Sequence, residues 1–254
     1  MSEIVEFGPG GYRYIPSVFQ YSGGVAALPG YRIVRETLRT PLTVEAGFQF
    51  IAGRLRDQGL ALQNFCACEL RSPGQFTDDG FRAFNKTYIV TLREWGIMND
   101  DIANPVARSN VCPMEHAPQE PSFYAFSYAR PAEASHPPTA VISGSAEARE
   151  PQSETELYRD RIVRFGETTP DALRDKVQSV LAEMERRLGL LGFSWADTTS
   201  VQAYSLRDFH HMMGEIANRQ VANRGLTWHF ARPPVVDLEY EMDCRVVYDE
   251  ATVA

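Results

Sequence analysis

Apolar residues recur at helical spacing along one long segment in the second half of the chain. Thr169 suits the N-cap of a helix, and Pro170 and Asp171 suit its first turn. An apolar stripe follows them at steps of three and four residues. The stripe stops at Gly192 and consists of Leu173, Val177, Val180, Leu181, Met184, Leu188 and Leu191. The spacing predicts one amphipathic helix that ends at the glycine.

A shorter stripe of the same kind lies in the first half. It precedes Gly59 and consists of Val44, Phe48, Ile51 and Leu55. Thr40 and Pro41 are predicted to open this helix, as Thr169 and Pro170 open the other. Residues 55–76 and 188–209 then align without a gap at an offset of 133, which indicates a duplicated chain. Because the Thr-Pro offset is 129, the second helix is expected to be about one turn longer.

Short runs of β-branched and aromatic residues surround both helices. VFQYSGG (18–24) and TAVISGS (139–145) each end in Ser-Gly and predict an early strand in each half. SFYAFSYA (122–129) and DLEYEMDCRVVY (237–248) predict the closing strands, and the Pro- and Ala-rich ARPAEASHPP (129–138) predicts a linker. The sequence therefore predicts two domains, residues 1–129 and 138–254, each a mixed sheet with two helices on one face.

The order and spacing of these motifs resemble the YjgF/Rid family, whose small α+β domains have a chorismate mutase-like fold. The matching motifs are Ser22-Gly23, Phe81-x3-Asn85-x2-Tyr88, Val106-Ala107-Arg108-Ser109, Ser143-Gly144 and Tyr240-Glu241-Met242-Asp243. The resemblance covers nearly the whole chain and implies an α+β fold of two tandem chorismate mutase-like, YjgF/Rid-type domains.

Each half departs from the family pattern at a different place. The first half keeps Arg108 but has no acid in its last strand, whereas the second keeps Glu241 and has Leu226 at the arginine position. The second half also lacks the Asn-x2-Tyr motif. A site that needs one arginine and one acid in total would be complete only if the halves shared it. We therefore expect Arg108 to face Glu241, either within one chain or across two chains.

The resemblance implies a metal-independent hydrolytic deaminase without a cofactor. In deaminases of this family the arginine clamps the substrate carboxylate, and the acid positions a water that attacks an imine carbon. The implied catalytic residues are Arg108 and Glu241, and the implied substrate contacts are Ser22, Tyr21, Asn110 and Ser143. The expected substrate is a small enamine or imine carboxylate, 2-aminoacrylate-like or 2-aminomuconate-like.

Other interpretations remain open on the residues alone. The second interpretation, after the deaminase, is a non-catalytic module that binds a small carboxylate or scaffolds partners. The third is a hydrolase or lyase similar to chorismatases. Arg108 also suits a structural salt bridge, and Glu241 suits an exposed strand face. Ser22 and Ser143 precede glycines, so both also suit turns.

Charge and composition limit the classes of partner that the protein is expected to bind. Lys and Arg number 25 against 33 Asp and Glu, a formal net charge of −8, which argues against nucleic acid or an anionic membrane as a partner. The acidic N-terminus MSEIVEFGPGG is unlike a secretory signal, no apolar run is long enough to span a bilayer, and the four cysteines fit no zinc spacing. We therefore expect a cytoplasmic protein with no bound metal.

Two of the predicted strands indicate that the halves and the chains associate. SVFQYS and SFYAFSYA would expose a large apolar patch if neighbouring domains did not cover them. The two halves are therefore expected to pack together, and the chains are expected to form a homo-oligomer, with a trimer as the first choice.

Overall fold

A computed structural model describes residues 4–99, 103–149 and 158–253. The elements of the first half are β1 (Val5–Phe7), β2 (Tyr12–Tyr14), β3 (Gly24–Ala27), β4 (Tyr31–Thr43), α1 (Val44–Asp57), β5 (Phe65–Arg71), α2 (Asp78–Glu94), β6 (Ala107–Pro113) and β7 (Ser122–Pro131). Those of the second half are β8 (Ala140–Ala146), α3 (Tyr158–Arg161), α4 (Pro170–Leu191), β9 (Ser200–Ser205), α5 (Met213–Asn218), β10 (Thr227–His229), β11 (Ala231–Arg232), β12 (Tyr240–Val246) and β13 (Asp249–Val253).

The two halves have the same topology. One sheet contains the order β6-β5-β7-β4 and the other the order β10-β9-β12-β8. In both, the first two strands are parallel and the remaining neighbours are antiparallel. Helices α1 and α2 cover the first sheet and α4 and α5 the second, each pair around its own apolar core. The predicted tandem of chorismate mutase-like domains is confirmed.

The 133-residue offset holds at the level of single hydrogen bonds. A 3-10 turn spans Leu62–Asn64 in the first half and Trp195–Asp197 in the second. In each turn the last side chain accepts from the backbone three residues earlier, at 3.0 Å for Asn64 and 2.8 Å for Asp197. The duplication is therefore repeated in the capping chemistry as well as in the strand order.

The start of the first helix was predicted wrongly. Thr40 and Pro41 lie in β4, at a register shift against β7 where a residue without an N–H is tolerated. The helix begins at Val44 because the Thr43 hydroxyl accepts the N–H of Ala46 at 3.3 Å. As a result α1 has 14 residues and α4 has 22, so the second helix is two turns longer, not one. The predicted N-cap Thr169 and stop Gly192 of α4 are confirmed.

VFQYSGG is also not the strand that was predicted. Val18 and Tyr21 close a tight turn, and the Asn104 amide donates to the carbonyl oxygens of Phe19 and Gln20. Extended pairing begins only at Gly24, in β3. The TAVISGS segment of the second half forms β8, and the strand that corresponds to it in the first half is β4.

Terminal strands cross between the halves. The N-terminal strands β1, β2 and β3 extend the second sheet through β8, and the C-terminal strand β13 extends the first sheet through β4. The sheets stack, and Tyr12, Val25, Ala107 and Val247 pack between them. SFYAFSYA lies in β7, which is largely buried within one chain. This strand therefore exposes no large apolar patch that further subunits would have to cover. The trimer stays a prediction. No helix in the described residues is long and apolar enough to cross a membrane.

Candidate active site

Arg108 is held where the two halves meet. It lies on β6, opposite Cys68 of β5, and its backbone N–H donates to the Ser143 hydroxyl at 3.0 Å. That hydroxyl donates in turn to the carbonyl oxygen of Ser22 at 2.6 Å, and the Ser22 N–H donates to Val106. Ser22 and Ser143, both fully buried, therefore join the halves behind the arginine and do not line the cavity in front of it.

Aromatic rings surround the Arg108 guanidinium. Its Cζ lies 4.8 Å from the centre of the Tyr88 ring and 5.3 Å from that of Tyr21, with Phe81 and Phe84 slightly farther. The residue is 3% exposed, and Nη1 and Nη2 have no hydrogen-bond partner among the described residues. A buried guanidinium without a partner is costly, so this arrangement favours binding of an anion.

Helix α2 supplies three of those rings from one face, at Phe81, Phe84 and Tyr88. The Tyr88 hydroxyl is 3.3 Å from the Cys68 thiol, and the Asn85 amide donates to the Phe81 carbonyl at 2.7 Å. The Phe-x3-Asn-x2-Tyr motif therefore anchors the helix over β5. Of its residues, Phe81 lines the cavity.

Glu241 comes from the other half, on the central strand β12 between β8 and β9. The residue is 4% exposed. A Cβ at Gly144 would overlap its Oε1, so the glycine of the Ser-Gly motif makes room for the carboxyl group. Burial raises the pKa of Glu241 well above its ordinary value, and the neighbouring Asp243 adds to the increase. The raised pKa favours the neutral form of the carboxyl group, in which it can donate a proton.

Arg108 and Glu241 line one cavity, together with Tyr21 and Asn110. The cavity has about 510 Å³ of space including its open mouth. The side-chain Oδ1 of Asn110 accepts from the Ser72 hydroxyl at 2.9 Å, while its Nδ2 has no partner among the described residues. Four of the six predicted site residues thus share this cavity, and their functional roles stay predictions.

The sequence interpretation missed Arg161 and Tyr158, which line the cavity from α3. Arg161 is 4% exposed, and its guanidinium lies 4.7 Å from the centre of the Tyr158 ring. Arginines occur at positions 159, 161 and 164, and only tertiary packing distinguishes the buried one from its exposed neighbours. No local signal in the sequence would have selected Arg161.

The cysteines and candidate metal ligands of the described chain form no competing centre. The Cys112 thiol is buried, which raises its pKa to about 12, and nearby Glu241 adds to this effect. The thiol is therefore protonated and a poor nucleophile. Within residues 4–99, 103–149 and 158–253, no three His, Cys, Asp or Glu side chains are grouped as metal ligands.

The fold and the cavity define a class, a tandem α+β protein in which an arginine of one half and a glutamate of the other line the same cavity. Within that class, the sequence profile described as 2-aminomuconate deaminase CnbZ matches residues 4–251. The chain belongs to this family. The expectation of a deaminase family is thereby confirmed.

Similar proteins include a 2-amino-5-chloromuconate deaminase of Comamonas testosteroni. It is 47% identical over 247 residues, which cover 96% of this chain and 97% of the relative. Among solved structures, a chorismatase matches with a TM-score of 0.44 at 15% identity, over 89% of this chain and 77% of the other.

Proposed function

We propose that this enzyme hydrolytically deaminates 2-aminomuconate-type compounds, small carboxylates with an enamine or imine carbon. The observation that carries the proposal is the guanidinium of Arg108, which no described residue pairs and which lines the same cavity as the buried carboxyl group of Glu241. The family and the 47% identical relative, whose name is a deaminase of an aminochloromuconate, support this substrate class.

Arg108 binds the carboxylate next to the reacting carbon. The planar guanidinium offers two parallel N–H donors, which suit a carboxylate and fix its orientation. The aromatic rings around Arg108 exclude water from one side of the contact, which strengthens the attraction between the two charges. The Nδ2 of Asn110, unpaired within the described part of the chain, supplies a further neutral donor.

Glu241 moves the protons. In its neutral form it donates a proton to the enamine at carbon, which converts the enamine into an iminium ion. As a carboxylate it then takes a proton from water while the water oxygen bonds to the iminium carbon. Glu241 then returns this proton to the nitrogen of the tetrahedral adduct, the carbon–nitrogen bond breaks, and nitrogen leaves with the bonding pair as ammonia. The hydroxyl group gives its proton to the Glu241 carboxylate and becomes the carbonyl, which leaves Glu241 neutral as at the start. In total, enamine and water give ketone and ammonia.

Ammonia release from freshly prepared 2-aminomuconate tests this function. We expect purified enzyme to release one ammonia per substrate at a rate far above the spontaneous hydrolysis measured without enzyme. The variant Arg174→Gln, altered at an exposed arginine paired with Asp171 on α4, is the control that keeps full activity. Binding of the compound without ammonia above the spontaneous rate would instead indicate a carboxylate-binding module.

A further inference from the structure

Arg161 is the second buried arginine in the cavity. Its Nη1 donates to the carbonyl oxygen of Arg149 at 3.1 Å, while its Nε has no partner among the described residues. The Arg149 N–H donates back to the Arg161 carbonyl at 3.0 Å. These two bonds fix the residue at the end of α3, and neither of them supplies a counterion for its charge.

Other buried arginines show how this chain normally neutralises such a group. In the described residues the buried arginines are Arg35, Arg71, Arg108, Arg161 and Arg187. Arg35 and Arg71 pair with Glu69, and Arg187 pairs with Glu183 at 2.7 Å. No carboxylate of the described residues forms an ion pair with Arg108 or Arg161. These are also the two buried arginines that line the cavity.

We propose that Arg161 binds a second carboxylate of the substrate and selects dicarboxylates over monocarboxylates. The inference rests on the proposed function, in which Arg108 takes the carboxylate beside the reacting carbon. Arg161 then takes the carboxylate at the far end of the same molecule. It is a specificity-determining residue, and it takes no part in the proton transfers.

The charge of the cavity agrees with a dianion. Two guanidinium groups give a charge of +2, and Glu241 adds none while it is protonated. A substrate with two carboxylates neutralises both arginines, whereas a monocarboxylate leaves one of them buried and unpaired. An unpaired buried charge costs binding free energy beyond the contact that is lost. The second carboxylate therefore contributes selectivity as well as affinity.

Two unreactive compounds isolate the second carboxylate. trans,trans-Muconate and sorbate share a six-carbon diene and differ in that sorbate has a methyl group where muconate has its second carboxylate. We expect the wild-type protein to bind muconate about 10- to 100-fold more tightly than sorbate by calorimetry, the range for one charge-assisted contact. Arg161→Gln should lower the affinity for muconate to that of sorbate, and it should change the affinity for sorbate by less than twofold. Arg174→Gln should change neither affinity.

Equal binding of the two compounds by the wild type, or binding of neither, would overturn the proposal without any variant. So would an Arg161→Gln protein that keeps its preference for muconate, or one that loses affinity for both compounds alike. Since neither compound carries an amino group, these results do not depend on deamination. Absence of ammonia release would refute the proposed function alone.

Discussion

The two halves share a topology but contribute different parts of the cavity. Strand registers give the equivalent positions. Glu69 pairs with Ser109 and Gln202 pairs with Thr227, so Leu226 occupies the place of Arg108 in the second half. In the first half, Ser122 occupies the place of Glu241, because it pairs with Arg71 as Glu241 pairs with Tyr204.

The residues at those equivalent positions have become structural. Leu226 packs against the core under α4 and α5, and the Ser122 hydroxyl donates to the Glu120 carbonyl at 2.8 Å. The second helix of each half has diverged as well. Helix α2 has 17 residues and supplies aromatic rings to Arg108, whereas its counterpart α5 has six residues. Each half has kept only what a single shared cleft uses, which favours one site per chain.

The largest expected effect is on turnover, when the acid that the second half contributes is replaced. Glu241→Gln keeps the shape and hydrogen-bonding reach of the side chain but cannot exchange a proton. We expect kcat to fall by about 10²- to 10⁴-fold, the range for a general acid–base group, with substrate binding spared. Steady-state kinetics of ammonia release would measure the change. Glu239→Gln, two residues earlier and paired with Arg207 at the surface, is the matched control and should retain wild-type kcat.

Binding should depend on the residue from the other half. Arg108→Lys keeps the positive charge but loses the planar pair of donors, so we expect substrate binding to weaken by about 1–3 kcal/mol. A titration with trans,trans-muconate would measure it, and Arg174→Gln should bind as the wild type does. Full deaminase activity in both Arg108→Lys and Glu241→Gln would end the idea of a shared cleft.

The sequence predicted the duplication because it is encoded in local signals, a glycine after each apolar stripe and a polar cap in each turn. It also predicted that Arg108 and Glu241 come together, since each half lacked what the other had. It did not predict that β3 pairs with β8, because a short β-like run such as VFQYSGG does not specify its partner. Arg161 was missed for a related reason, since burial is decided by distant parts of the chain.

The buried carboxyl group should also make stability depend on pH. Burial raises the pKa of Glu241 above its ordinary 4.5, so the folded protein holds this proton at pH values where the unfolded chain has released it. The folded state then binds more protons, and the free energy of unfolding falls as the pH rises from about 4.5 through the raised pKa.

The variant that loses turnover should therefore gain stability. Glu241→Gln removes the ionisation, and we expect it to exceed the wild type by on the order of 1 kcal/mol at neutral pH and by little at pH 4. Urea denaturation at several pH values would show this, with Glu239→Gln following the wild type. A stability difference that does not change with pH would mean that Glu241 ionises as easily in the folded protein as in the unfolded chain.

The smallest effect tests whether the repeated turns are energetically the same structure. Gly59 and Gly192 have φ values of +69° and +84°, and the N–H of the next residue donates to the helix carbonyl five residues earlier at 2.9 Å in both halves. A Cβ added at either glycine would lie more than 4 Å from any other described heavy atom beyond its chain neighbours. Alanine would therefore meet only the backbone penalty of a left-handed conformation.

We expect Gly59→Ala and Gly192→Ala each to lower the free energy of unfolding by about 1 kcal/mol in urea denaturation. Gly53→Ala, inside α1 and also facing open space, is the control and should raise it by about 0.5–1 kcal/mol. A cost at only one of the two turns would show that the halves have diverged in backbone energetics as they have in chemistry. Equal costs would confine the divergence to the side chains of the shared cleft and to the helices that position them.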